Sequence, residues 1–244
     1  MEPDVDKALR GAFWVQECVP ESLDIKRAVF HTIDEHCDEG TILASSTSNL
    51  TPEQFTEDLK NRRHCLVCHP VNPPFAIPVV EVVPAPWTDK LAVEKAVATL
   101  KEIGQSPVVL NKAVDGFLVN RLQYALLMEA FRLVQDGVAS PQDVDTAISQ
   151  GLGTRWSFMG PFQTIDLNAP NGVVDYCNRY MEGIERVAAT QDNRVKITKE
   201  TIEKVAAAMK VEVPEDKRAA RTEWRNERLL ALHKHKMAST QWKK

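Results

Sequence analysis

No apolar run in the 244 residues approaches the roughly 18–20 needed to cross a bilayer, so no transmembrane helix is expected. The N-terminal stretch MEPDVDKALRG carries acids and no apolar core, so no secretory signal is expected there. Positive charge is not in excess: 30 lysines and arginines meet 34 aspartates and glutamates, and the pI is about 5.9. A nucleic-acid binder usually shows a basic stripe or domain, so nucleic acid is not an expected partner. The five cysteines (Cys18, Cys37, Cys65, Cys68, Cys177) are odd in number and thinly spread, unlike a secreted disulfide framework. Reduced thiols and a cytoplasmic location follow as expectations. No G-x-G-x-x-G or P-loop segment occurs, and the nearest approach, Gly151-Leu-Gly153-Thr-Arg-Trp156, lacks the third glycine.

What the chain does contain is ordinary globular material, 43% hydrophobic and 26% charged. Short β-branched runs alternate with helical stretches in the first half. Strands are expected at 12–19, 41–44, 65–68, 79–83 and 107–110, and helices at 22–36, 51–62 and 90–103. Thr51 is expected to cap the second of these helices, with Pro52 at its first position. The third has Val93, Ala96, Val97 and Leu100 on one face, and Gly104 stops it. Such alternation implies a mostly parallel sheet. Beyond Asp115 the texture becomes helical: 116–135, a capping-box-like Ser140-Pro-Gln-Asp143, then 173–190, 198–210 and 215–237. The expected architecture is therefore α/β followed by all-α, with domains 1–112 and 113–244.

Glu81 is the most informative residue. It interrupts Val79-Val-Glu-Val-Val83, where a carboxylate is costly to bury unless it is paired. The alternative is that it faces water on an edge strand. His69 ends the apolar run 65–68 and opens the stiff segment HPVNPP. In open α/β sheets, ligands bind outside the carboxyl ends of the strands. An imidazole there can act as a general base, and a carboxylate on its other nitrogen would fix the tautomer; an ordinary loop histidine is the alternative. Ser45-Ser-Thr-Ser-Asn49 is a second strand-end cluster, able either to bind a substrate oxygen or simply to form a turn. Asn120, a mediocre helix former near the junction of the halves, makes a polar contact there or faces solvent. Cys65-Leu-Val-Cys68-His69 has the form of a haem-attachment or metal motif. On a strand, however, residues three apart point to opposite faces, so no metal site is expected.

Taken in order, SSTSNL, HPVNPP, VEVVP and DGFLVNR resemble the 3-hydroxyacyl-CoA dehydrogenase family. WVQECVPESL, GLGTRWSFMGP and VPEDKRAARTEWRNE extend the resemblance over nearly the whole chain. It implies a Rossmann-type parallel sheet plus a C-terminal helical domain through which the family dimerises. It also implies His69 as the catalytic histidine, Glu81 as its carboxylate partner, and Ser48 and Asn120 beside the substrate oxygen. Glu21 and Lys26 match positions that touch NAD. The implied reaction moves a hydride from a secondary alcohol of a small hydroxyacid to NAD, with L-gulonate, oxidised at carbon 3, as substrate. Family members begin with a strand, the glycine-rich loop and a helix, whereas this sequence starts after them. It is therefore expected to be a truncated form with strand 12–19, bearing Phe13, Trp14 and Val15, as an uncovered edge. Two functions follow: an NAD-dependent dehydrogenase, or an inactive truncated form acting as a dimerisation partner or structural protein.

Overall fold

The computed structural model describes residues 4–192 and 194–239, and the chain separates into two compact units, Met1–Gln123 and Tyr124–Lys244. The first unit runs α1 (Val5–Leu9), β1 (Trp14–Glu17), α2 (Leu23–His36), β2 (Ile42–Ser45), α3 (Glu53–Thr56), β3 (Cys65–Pro70), β4 (Val79–Pro84), α4 (Lys90–Glu102) and β5 (Ser106–Val109). It closes with the first turn of α5 (Val119–Gln135).

The five strands form one sheet in the order β1-β2-β3-β4-β5. Alternation along each strand sorts its side chains to two faces. Leu43, Cys65, Val67 and Val83 pack with Phe30 and Ile33 of α2 and Phe55 of α3. Ile42, Ala44, Leu66, Cys68, Val80 and Val82 pack with Ala92, Ala96 and Leu100 of α4. Helices thus cover both faces, which explains why the strands read as near-continuous apolar runs.

The sheet is mostly parallel, as expected: β1–β2, β2–β3 and β4–β5 are parallel, and β3–β4 is antiparallel. The connection 71–78 is far shorter than the dozen or so residues a crossover needs, so the chain can only fold back on itself. The helix expected at 51–62 is a single turn, with Pro52 at its cap position rather than Thr51, followed by a 3-10 turn at Arg62–His64. The Asp34 carboxylate accepts hydrogen bonds from the N–H groups of Lys60 (2.8 Å) and Asn61 (3.0 Å). That tertiary contact captures backbone donors that a longer helix would use internally.

The second unit holds the rest of α5, then α6 (Pro141–Thr146), α7 (Gly153–Trp156), α8 (Pro161–Leu167), α9 (Gly172–Ala188), α10 (Lys199–Glu212) and α11 (Arg218–Ala238). The Ser140 hydroxyl accepts from the Asp143 N–H and caps α6. A π-helical turn at Ala147–Leu152 links α6 to α7. A Cβ on Gly153 would meet the Ile148 carbonyl oxygen at 2.8 Å, so the close approach requires glycine. Gly153 therefore serves a tight helical turn, and neither it nor Gly151 lies in a strand-to-helix loop. Among the described residues, no strand follows Val109, and no helix is long and apolar enough to cross a membrane.

Candidate functional site

The antiparallel turn from β3 to β4 creates the central feature. It sets His69 directly opposite Glu81 on neighbouring strands. The His69 Nδ1 lies 2.7 Å from the Glu81 Oε2. Glu81 is fully buried on a central strand, so the wet-face alternative does not describe it. Its Oε1 accepts the backbone N–H groups of Leu118 (2.7 Å) and Val119 (2.8 Å) at the start of α5. These donors reach the carboxylate because Gly116 and Phe117 both adopt left-handed backbone (φ +72° and +47°). A bulky residue rarely sits there, since its Cβ crowds the following carbonyl. Phe117 is fully buried, with its ring 5.9 Å from the His69 imidazole.

Burial alone would push the Glu81 carboxyl up. The hydrogen bonds from His69, Val119 and Leu118 outweigh it and hold the group below its ordinary value. An ionised carboxylate can only accept, so Nδ1 carries the proton and Nε2 is the basic nitrogen of His69. His69 itself is 8% exposed, at the carboxyl end of the three co-directional strands β1, β2 and β3.

The other expected residues gather at the same edge. Ser48 is half-buried in the loop after β2, and its carbonyl accepts from the Asn120 Nδ2 at 3.2 Å. Glu21 lies in the loop after β1 with a partly exposed side chain. Its Oε1 accepts from the Thr47 hydroxyl and from the N–H groups of Ser48 (3.2 Å) and Asn49 (3.1 Å). Burial pushes the Glu21 carboxyl up, but those donors and the Lys26 ammonium bring it below its usual range. Lys26 is 1% exposed, and its ammonium is engaged with Glu17, the Val19 carbonyl and Glu21. The structure places it behind Glu21 rather than at the surface.

Two residues at this edge, Glu17 and Phe117, escaped the sequence reading, and Thr47 was singled out there only as one of the Ser45–Asn49 cluster. Glu17 carries a weaker form of the sign that marked Glu81, a carboxylate at the end of a strand rather than in its middle. Thr47 is hidden in a serine- and threonine-rich turn, and nothing local marks Phe117. Cys65 and Cys68 belong to the clusters on opposite faces of the sheet, and burial pushes both thiols up. Among the described residues, no three His, Cys, Asp or Glu side chains are grouped to hold a metal.

Comparison with known proteins matches residues 1–114 to the family model for the 3-hydroxyacyl-CoA dehydrogenase NAD binding domain. Residues 116–220 match the model for the C-terminal domain of the same enzymes. The chain is 45% identical to the lambda-crystallin homolog of Homo sapiens, over 96% of this chain and 74% of that protein. It is 46% identical to lambda-crystallin of Oryctolagus cuniculus, over 94% and 72%. Among solved structures, 5-formyl-3-hydroxy-2-methylpyridine 4-carboxylic acid 5-dehydrogenase, an NAD+ dependent dismutase, superposes with a TM-score of 0.83 at 31% identity. That superposition covers 97% of this chain and 77% of that one.

Proposed function

The chain belongs to the 3-hydroxyacyl-CoA dehydrogenase family, and on that premise we propose that it oxidises the secondary alcohol of a small hydroxyacid with NAD. L-gulonate, oxidised to 3-dehydro-L-gulonate, is the proposed substrate. The observation that carries this reading is the buried Nδ1–Oε2 bond of His69 and Glu81, which leaves Nε2 basic at the sheet's carboxyl edge.

In this reading, Nε2 of His69 takes the hydroxyl proton as the carbinol carbon is oxidised. Glu81 stabilises the imidazolium that forms and keeps the ring in one orientation, as the carboxylate of a catalytic triad does. Ser48 and Asn120 lie beside the substrate oxygen. NAD, when bound, supplies the hydride acceptor. The residues present suit its ribose–nicotinamide half: Glu21 offers a partly exposed carboxylate for ribose hydroxyls, one oxygen already anchored on the 47–49 loop. Lys26, with its ammonium engaged, supports Glu21. A homodimer formed through the helical unit completes the proposal.

Fluorescence titration of the purified chain with NADH, followed by L-gulonate oxidation, tests it. His69→Ala is expected to lower kcat by about 10²–10⁴, with NADH affinity little changed and the fold kept at a cost of about 1.5–3 kcal/mol for the hydrogen bond that the buried Glu81 loses. Unchanged turnover would remove His69 from the chemistry. A folded wild-type chain that binds no NADH would instead favour the non-catalytic, partner role.

A further inference from the structure

Glu17 and Lys26 form an ion pair that is almost completely shielded from water, with 3% and 1% residue exposure. Both Glu17 carboxylate oxygens lie 3.1 Å from the Lys26 Nζ. Buried pairs of this kind are often no more stabilising than apolar residues of the same volume, so tethering α2 to β1 is a weak reason for one. This pair does not stop at the tether. From Glu17, Oε2 accepts the Ser45 hydroxyl at 2.6 Å, and the Ser45 oxygen in turn accepts the Thr47 N–H at 3.1 Å. From Lys26, the ammonium reaches Glu21 Oε2 at 3.4 Å, and Glu21 Oε1 gathers the Thr47 hydroxyl and the N–H groups of Ser48 and Asn49. The 47–49 loop therefore hangs from two carboxylates joined by one ammonium. Its Ser48 carbonyl receives Asn120, which follows directly on the residue whose N–H holds Glu81.

We propose that Glu17 and Lys26 are positioning residues: together they hold Glu21, and through it the Ser48 loop, in register with the His69–Glu81 pair. The polar contacts run from Glu17 to Asn120, and the adjoining Val119 N–H continues to Glu81. The link to catalysis rests on the reading of Ser48 and Asn120 as substrate-side groups; the link to loop order does not.

Amide hydrogen exchange in the ligand-free chain reads the loop without cofactor or turnover. In Glu21→Gln the Ser48 and Asn49 amides are expected to exchange about tenfold faster, the scale of one lost hydrogen bond to a charged group. Lys26→Met should give the same acceleration at the same two amides, and the double variant no more, because both break one chain of contacts. Glu17→Gln should show a smaller rise there. In steady state the same variants should lower kcat for L-gulonate more than they raise KM, with the pH profile of His69 chemistry kept. A folded Lys26→Met with wild-type exchange at Ser48 and Asn49, or effects of Lys26→Met and Glu21→Gln that simply add, overturns the proposal. If Lys26→Met does not fold, Thr47→Val replaces it: faster exchange at the two amides supports the loop anchor, and wild-type exchange overturns it. Absent turnover in the wild type would sink the dehydrogenase reading while leaving the exchange result to stand on its own.

Discussion

The two units dispose of their apolar side chains in opposite ways. In the first, Phe30, Ile42, Leu66 and Val82 are fully buried, and helices cover both faces of the sheet. In the second, among the described residues, the buried apolar side chains are Val134, Pro141 and Ala169. Phe162, Val174, Val187 and Val211 are 56–82% exposed, and α9 buries none of its residues. A sheet with helices on both faces closes its own core. Amphipathic helices leave an apolar stripe that finds cover only against another surface. The candidate chemistry sits in the self-sufficient unit, while the helical unit carries the surface that the proposed homodimer would cover.

That contrast can be broken or sharpened by substitution. The largest expected effect is Phe30→Ala, at a loss of about 3–5 kcal/mol in urea unfolding, as for other buried phenylalanines. A loss below about 1 kcal/mol would mean that the core of the sheet unit does not govern stability.

Glu81→Gln comes next, with about 1.5–3 kcal/mol lost near neutral pH, the scale of a hydrogen bond to a charged group. Its pH dependence has a definite sign. Because the folded carboxyl is held below its ordinary value, its contribution is present above the unfolded pKa of about 4.3 and is lost as pH falls through the lower folded value. Unfolding curves of wild type and Glu81→Gln should therefore run apart at pH 6–8 and converge in acid. A gap that widened in acid would contradict the assigned charge.

Smallest should be Ile184→Asp on α9, where the side chain is 45% exposed. In dilute protein the stability change is expected to stay within about 0.5 kcal/mol, typical of surface sites. Sedimentation velocity at higher concentration should show weakened association. Loss of several kcal/mol in dilute protein would mean that this face is core, and the contrast between the units would fail.

Much of this organisation was legible in the one-dimensional pattern. Each of the five strands overlaps an expected run, β1 lying inside its run and the other four overrunning theirs by one or two residues, and the Ser140 cap stands at the head of its helix. His69 and Glu81 stood out because a polar group among β-branched residues needs a partner. Phe117 was invisible, since its importance comes from a left-handed backbone and from the ring beside it, neither of which has a local sequence mark. Lys26 was expected to touch NAD by resemblance alone, and only the tertiary structure shows it buried against Glu17.

What the sequence determined by itself was therefore local: where strands and helices form, through side-chain period and capping, and which residues are too polar for their surroundings. Only the tertiary structure decided the reversal of β4 against β3. That reversal brings together groups 12 residues apart at the His69–Glu81 bond, and the left-handed backbone at Gly116 and Phe117 brings in the donors of Leu118 and Val119 from 37 and 38 residues away. The physical reason is that a buried carboxylate must be satisfied by whatever the closed fold presents to it, and those donors lie far along the chain, beyond the reach of any local pattern.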